Sequence, residues 1–139
     1  MKLNLDALIA KTRPGARQRA ITAIFRSIAK DFRAAGCDPV EDGLCGDVAD
    51  AAWTEAKEKE IHGLTIVQDD DFGEFGKLPM HRWIYDRETG LHHDIRRPEG
   101  VPDWRQLPDF SENDAFVEPE GWRAKFARQM AAVEPESWT

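Results

Sequence analysis

MHRWIYDRETGLHHDI, residues 80–95, is the stretch on which the reading of the fold turns. MHRWIYD alternates with period two, as a half-buried strand does, and LHHDI follows as a second short strand. Between them stands RETG, whose Gly90 can take the left-handed backbone that closes a four-residue hairpin loop. With residues 87–90 as that loop, Trp83 faces Asp94 and His81 faces Arg96. His81 and Asp94 are then diagonal neighbours on one face, about 7 to 8 Å apart between backbones. A slip of one residue would turn Asp94 to the opposite face and offer His93 in its place.

Working outward, the chain upstream reads as two helices and a strand. After Pro14 and Gly15, the residues Ile21, Ile24, Phe25, Ile28 and Phe32 recur at intervals of three and four and make one helical stripe, which Gly36 ends. Arg17, Arg19, Arg26, Lys30 and Arg33 occupy the rest of its circumference and read as a solvated polar face. A second helix is expected over residues 45–60, and LTIVQ, residues 64–68, reads as a buried strand. The acidic DDDFGEFGKLP that follows reads as a solvated loop able to flank a cleft as a lid. Downstream, residues 96–118 are proline-rich and aperiodic, so they are expected to wrap the surface, anchored by Val101, Trp104, Leu107 and Phe110. Pro119 suits the first turn of a last helix, about residues 119–133, with Trp122, Phe126, Met130 and Val133 as its apolar stripe. The fold class is therefore α+β: N-terminal helices packed on a small antiparallel sheet, with a C-terminal helix.

Composition bounds the rest. A chain of 139 residues, 41% hydrophobic and with five tryptophans, suits a single domain over residues 1–139. Its apolar runs are far shorter than the roughly 20 residues that cross a bilayer. The amino terminus, MKLNLDALIAKTRPGARQ, has neither the apolar core nor the cleavage site of a secretory signal, which predicts a cytoplasmic protein. Cys37 and Cys45 are too few for a disulfide framework and match no zinc-binding spacing. The net charge of -7 divides unevenly: residues 1–35 carry eight Lys or Arg against Asp6 and Asp31, +6, which leaves -13 for the remainder. An acidic body argues against broad nucleic-acid binding, although the basic first helix could touch nucleic acid or lie on the acidic body itself.

Three residues carry a possible chemistry in chain order: Cys45 at the start of a helix, His81 on a strand and Asp94 on the next. A helix amino end presents free N–H groups and a partial positive charge, which favour a thiolate and can receive an oxyanion. Gly46 lets a substrate approach that backbone, and Trp83 is a candidate substrate contact. His81 can take and return a proton while Asp94 holds its other ring nitrogen.

GLCGDVADA, MHRWIYD and LHHDIRRPEGVPDWRQLPDF together resemble the Cys, His, Asp core of papain-like and transglutaminase-like proteins. The resemblance is nearest to small bacterial and phage proteins with an H-x-W strand and a D-x-x-x-P-x-G-V segment ending in L-P-x-F. It covers about residues 43–110 and implies a cysteine hydrolase or acyltransferase acting on an amide, isopeptide, ester or thioester bond through Cys45, His81 and Asp94. Such chemistry needs no metal or organic cofactor, and the substrate would be a peptide or protein. One departure is plain: Gly46 and Asp47 follow the cysteine where many cysteine proteases carry a bulky aromatic.

The alternative is a catalytically inactive phage or mobile-element binding protein, an inhibitor or nucleic-acid mimic that docks on a bacterial protein through its acidic surface. His81, His92, His93 and Asp94 also admit a metal reading, but His92 and His93 are adjacent on a strand and point to opposite faces. Asp69, Asp70 and Asp71 do not begin a calcium loop, because Glu74 and Met80 stand where glycine and glutamate are needed.

Overall fold

The computed structural model describes residues 15–73 and 78–133. Lys2, Lys11 and Arg13 of the expected basic segment therefore lie outside the described residues, as does part of the acidic loop, residues 74–77. Helix α1 spans Ala16–Ala34 and α2 spans Cys45–Glu58. Strands β1 (Leu64–Gln68), β2 (Arg82–Asp86), β3 (His92–Asp94) and β4 (Arg97–Val101) form one antiparallel sheet in the order β1-β2-β3-β4. A four-residue helix α3 (Pro108–Ser111) and a last helix α4 (Trp122–Ala132) follow. The class is α+β, as the hydrophobic periods predict.

The β2–β3 hairpin takes the expected register: Ile84 pairs with His93 and Tyr85 with His92. Asp86 N–H donates to Leu91 O at 2.9 Å and Gly90 has φ 76°, so residues 87–90 are the loop. Asp86 organises it from beneath, accepting from Glu88 N–H at 3.0 Å and from the Thr89 hydroxyl at 2.8 Å.

Each face of the sheet has its own core. On one, Ile21, Ile24, Phe25 and Ile28 of α1 join Val48, Ala49 and Ala52 of α2 over Leu64 and Ile84. On the other, Val67, Phe72, Trp83, Trp104, Leu107 and Phe110 form an aromatic cluster under α4. The alternation along β2 separates the two, with Ile84 facing the helices and Trp83 the aromatics.

Three expectations are corrected by packing. Residues 97–101 form a fourth strand where irregular chain is expected. Pro98 is tolerated because β4 is the sheet edge, and Gly100 is needed because a Cβ there would lie 2.6 Å from the His93 ring. Arg17 is not on a solvated face. It is 6% exposed and its Nε donates to Asp86 Oδ2 at 2.9 Å, tying α1 to the hairpin end. The stripe of α4 is only half-buried: Trp122, Phe126 and Met130 rest against the aromatic cluster, and no residue of α4 is fully buried.

Candidate functional site

Cys45 is the first residue of α2, so its sulfur stands where the helix N–H groups are unsatisfied. It is half-buried, as is Cys37. His81 lies one residue before β2 rather than within it, and a mutual bond holds its main chain. Its N–H donates to Asp69 Oδ2 at 3.0 Å, and Asp69 N–H donates to His81 O at 3.1 Å. Asp69 is fully buried, at 0% exposure, which corrects the view of the acidic run as wholly solvated. Burial raises the Asp69 carboxyl above its usual range, against the lowering effect of the bond from His81.

Asp94 ends β3 and does two things at once. Its Oδ1 accepts from Arg96 N–H at 3.0 Å and Arg97 N–H at 2.7 Å, closing the tight turn into β4. Its Oδ2 lies 2.9 Å from His81 Nε2. The carboxylate is therefore oriented by main-chain donors before it meets the imidazole. The diagonal placement expected from the hairpin register is what brings the two together.

The Cys45 thiol and the His81 ring line one depression, and the ring is the main cause that lowers the thiol's pKa, assisted by the Arg82 N–H and opposed by burial. Burial pushes His81 the other way, toward neutrality, but the Asp94 bond, the Cys45 contact and the charge of Asp109 outweigh it and raise the ring to about 10. Both directions favour a thiolate facing an imidazolium. The ring rests on Trp83, stacked at 5.7 Å and 24°, with the edge of Phe110 at 5.9 Å.

Trp83, the expected substrate contact, is buried beneath the ring in this structure. It is 0% exposed, and its Nε1–H donates to His92 Nδ1 at 2.9 Å, so it serves as the floor under His81. Gly46 is half-exposed on the first turn of α2. A Cβ there would come within 3.3 Å of Arg82 Nη1, so glycine lets that guanidinium cross the helix end toward Asp50 Oδ1, 3.3 Å away. Asp47, a possible opponent of the thiolate, is exposed.

One residue of the site is absent from the reading of the sequence. Asp109, on α3, puts Oδ2 3.1 Å from His81 Nδ1. No periodic or spacing signal points to it, although it lies in the L-P-x-F end of the quoted segment. His81, Asp94 and Asp109 bring ligand-type atoms within 4.8 Å of one another. Two of the three are already joined without an ion, since the 2.9 Å approach of Nε2 to Asp94 Oδ2 is the length of an ordinary N–H···O hydrogen bond. His92 and His93 stay apart from it: the first belongs to the aromatic face, and the second stacks on Phe25 at 6.2 Å and bonds Pro98 O at 2.9 Å.

A depression of about 10 Å³, lined in part by Phe25, Cys45, His81, Asp94 and Ile95, adjoins the thiol. It has room for about one water molecule. Among the described residues, no helix is long and apolar enough to cross a membrane. The chain matches no protein-family model, no curated protein and no solved structure.

Proposed function

We propose that this chain is a cysteine hydrolase or acyltransferase of papain-like or transglutaminase-like type, acting in the cytoplasm on an amide, isopeptide or ester carbonyl of a peptide or protein. The observation that carries the reading is the His81 ring bonded to Asp94 and lining one depression with the Cys45 thiol, which stands at a helix amino end and whose pKa the ring lowers. In the proposed reaction the Cys45 thiolate adds to the carbonyl carbon, and the oxyanion forms beside the N–H groups of Cys45 and Gly46. His81 gives its proton to the departing amine or alcohol as the carbon–heteroatom bond breaks, leaving a thioester on Cys45. Water or an acceptor amine then attacks the thioester and loses its proton to His81, and the carbon–sulfur bond breaks to release the Cys45 thiolate, restoring the thiolate–imidazolium pair. Asp94 holds the ring orientation throughout.

The test is chemical labelling of the full chain with iodoacetamide at pH 6.5, read residue by residue by mass spectrometry. An ordinary thiol is only about 1% ionised there, so Cys45 should label at least about tenfold faster than Cys37. His81→Ala should remove the difference, and His92→Ala should leave most of it. Incubation with a panel of acyl donors should add an acyl mass to wild type and none to Cys45→Ala. Slow, equal labelling of both cysteines would overturn the reading.

The second reading, a catalytically inactive protein that docks on a bacterial target through its acidic surface, draws on the smallness of the depression beside the thiol. It predicts a Cys45 that labels slowly and acquires no acyl group.

A further inference from the structure

We infer that Asp109 is a positioning residue of this site, a second carboxylate that holds the Nδ1 side of His81 and keeps the ring an imidazolium opposite Cys45. The inference deepens the proposed function and rests on it for its use, though not for its geometry. Nε2 is committed to Asp94 at 2.9 Å, which leaves Nδ1 as the ring nitrogen not engaged by that carboxylate. Asp109 Oδ2 lies 3.1 Å from that same Nδ1, yet Nδ1 has no aligned hydrogen-bond acceptor. The carboxylate thus acts on the ring by charge at close range rather than through an aligned hydrogen bond.

The position of Asp109 is built rather than incidental. It is flanked on α3 by buried Pro108 and Phe110, with Leu107 fully buried before them, and Phe110 touches the His81 ring itself. The Asp109 side chain is one-third exposed, 33%, against 4% for Asp94, so one carboxylate is sealed and the other stands at the rim. Its Oδ1 lies 4.0 Å from Arg96 Nη1, and Arg96 in turn pairs with Glu112 at 2.7 Å.

The charges that face His81 come from every neighbouring element. Cys45 comes from α2, Asp69 from the turn after β1, Asp94 from β3 and Asp109 from α3, with Arg82 adjacent in the chain. Asp109 has two opposed effects among them: it raises His81, and it also opposes the thiolate directly. An acid beside the ring therefore widens the alkaline reach of the imidazolium at some cost to the thiolate. That trade suits a site whose histidine must still hold a proton when the leaving group departs.

The test is an NMR titration of the His81 ring in the full-length chain, in the wild type and in Asp109→Asn. A neighbouring opposite charge is worth about one to three pH units, so the ring should titrate lower by that much in the variant. Asp109→Glu should restore the high value, and Glu112→Gln should leave it unchanged. An unmoved His81 titration in a folded Asp109→Asn overturns the inference. Should that variant not fold, the Asp109 carboxyl is followed by carbon NMR in wild type. Its carbon signal should move where His81 deprotonates, and a signal indifferent to His81 equally overturns the inference. The two claims separate cleanly. Slow Cys45 labelling with a shifted ring sinks the hydrolase reading alone, and fast labelling with an unmoved ring sinks the role of Asp109 alone.

Discussion

His81 and His92 occupy the same sheet face at the same exposure, 4%, and carry opposite charge tendencies. Burial pushes both rings toward neutrality, and His92 yields to it, falling to about 4. His81 is carried up to about 10 against it. The difference lies in partners. His81 sits between Asp94 and Asp109 with the Cys45 thiol beside it, whereas His92 lies among Trp83, Tyr85 and Phe126 and spends Nδ1 on accepting the Trp83 indole N–H. That bond requires His92 to keep its proton on Nε2 and stay neutral. At equal burial, neighbouring charge decides whether a histidine is a structural ring or a proton donor. Trp83 serves both, as floor to one and donor to the other.

The largest expected effect comes from removing the sealed partner of the charged ring. Asp94→Ala leaves a buried imidazolium without its carboxylate and two turn amides without their acceptor, and should cost about 3 to 5 kcal/mol in urea unfolding. A loss below about 1 kcal/mol would mean that His81 is neutral in the folded chain.

Next comes His92→Phe, which keeps the aromatic packing but strands the Trp83 N–H in a dry site, for about 1 to 3 kcal/mol. If urea unfolding puts this variant level with Asp94→Ala, the contrast between the two histidines is lost.

The same contrast predicts opposite pH arms. His81 is raised above its unfolded value near 6.5, so its stabilisation is complete below that pH and is lost as pH rises toward about 10. His92 is depressed, so the unfolded chain binds the extra proton and stability falls as pH drops from about 6.5 toward 4. Thermal melts across pH should show His92→Phe flattening the acid arm and leaving the alkaline arm in place.

The smallest effect belongs to the rim. Glu112→Gln breaks an ion pair with Arg96 whose side chains are 34% and 55% exposed, and should change stability by less than about 1 kcal/mol, less still in high salt. A larger, salt-independent loss would show that the rim pair props Asp109.

Local chemistry was enough for part of this protein. The period-two alternation of residues 82–86, the glycine at 90 and the helical stripe from Ile21 determine which elements form and the register that brings Asp94 to His81, because these are short-range properties of neighbouring residues. The helix that begins at Cys45 is equally legible, from the Pro39- and Gly43-containing turn before it and the alanines within it. Other features depend on contacts between residues distant in the chain, and only the tertiary structure decided them. Residues 97–101 contain a proline and a glycine and look unfit for a strand until the open edge of β3 and the His93 ring are placed against them. Arg17 looks like one of several surface cations until Asp86, 69 residues away, is found beneath it. The burial of Trp83 beneath the His81 ring is equally a matter of the aromatic cluster around it. Asp69 and Asp109 carry no signal of their own. They reach His81 across 12 and 28 residues of chain, and their significance arises from charge at close range in a buried place, which no local pattern of residues encodes.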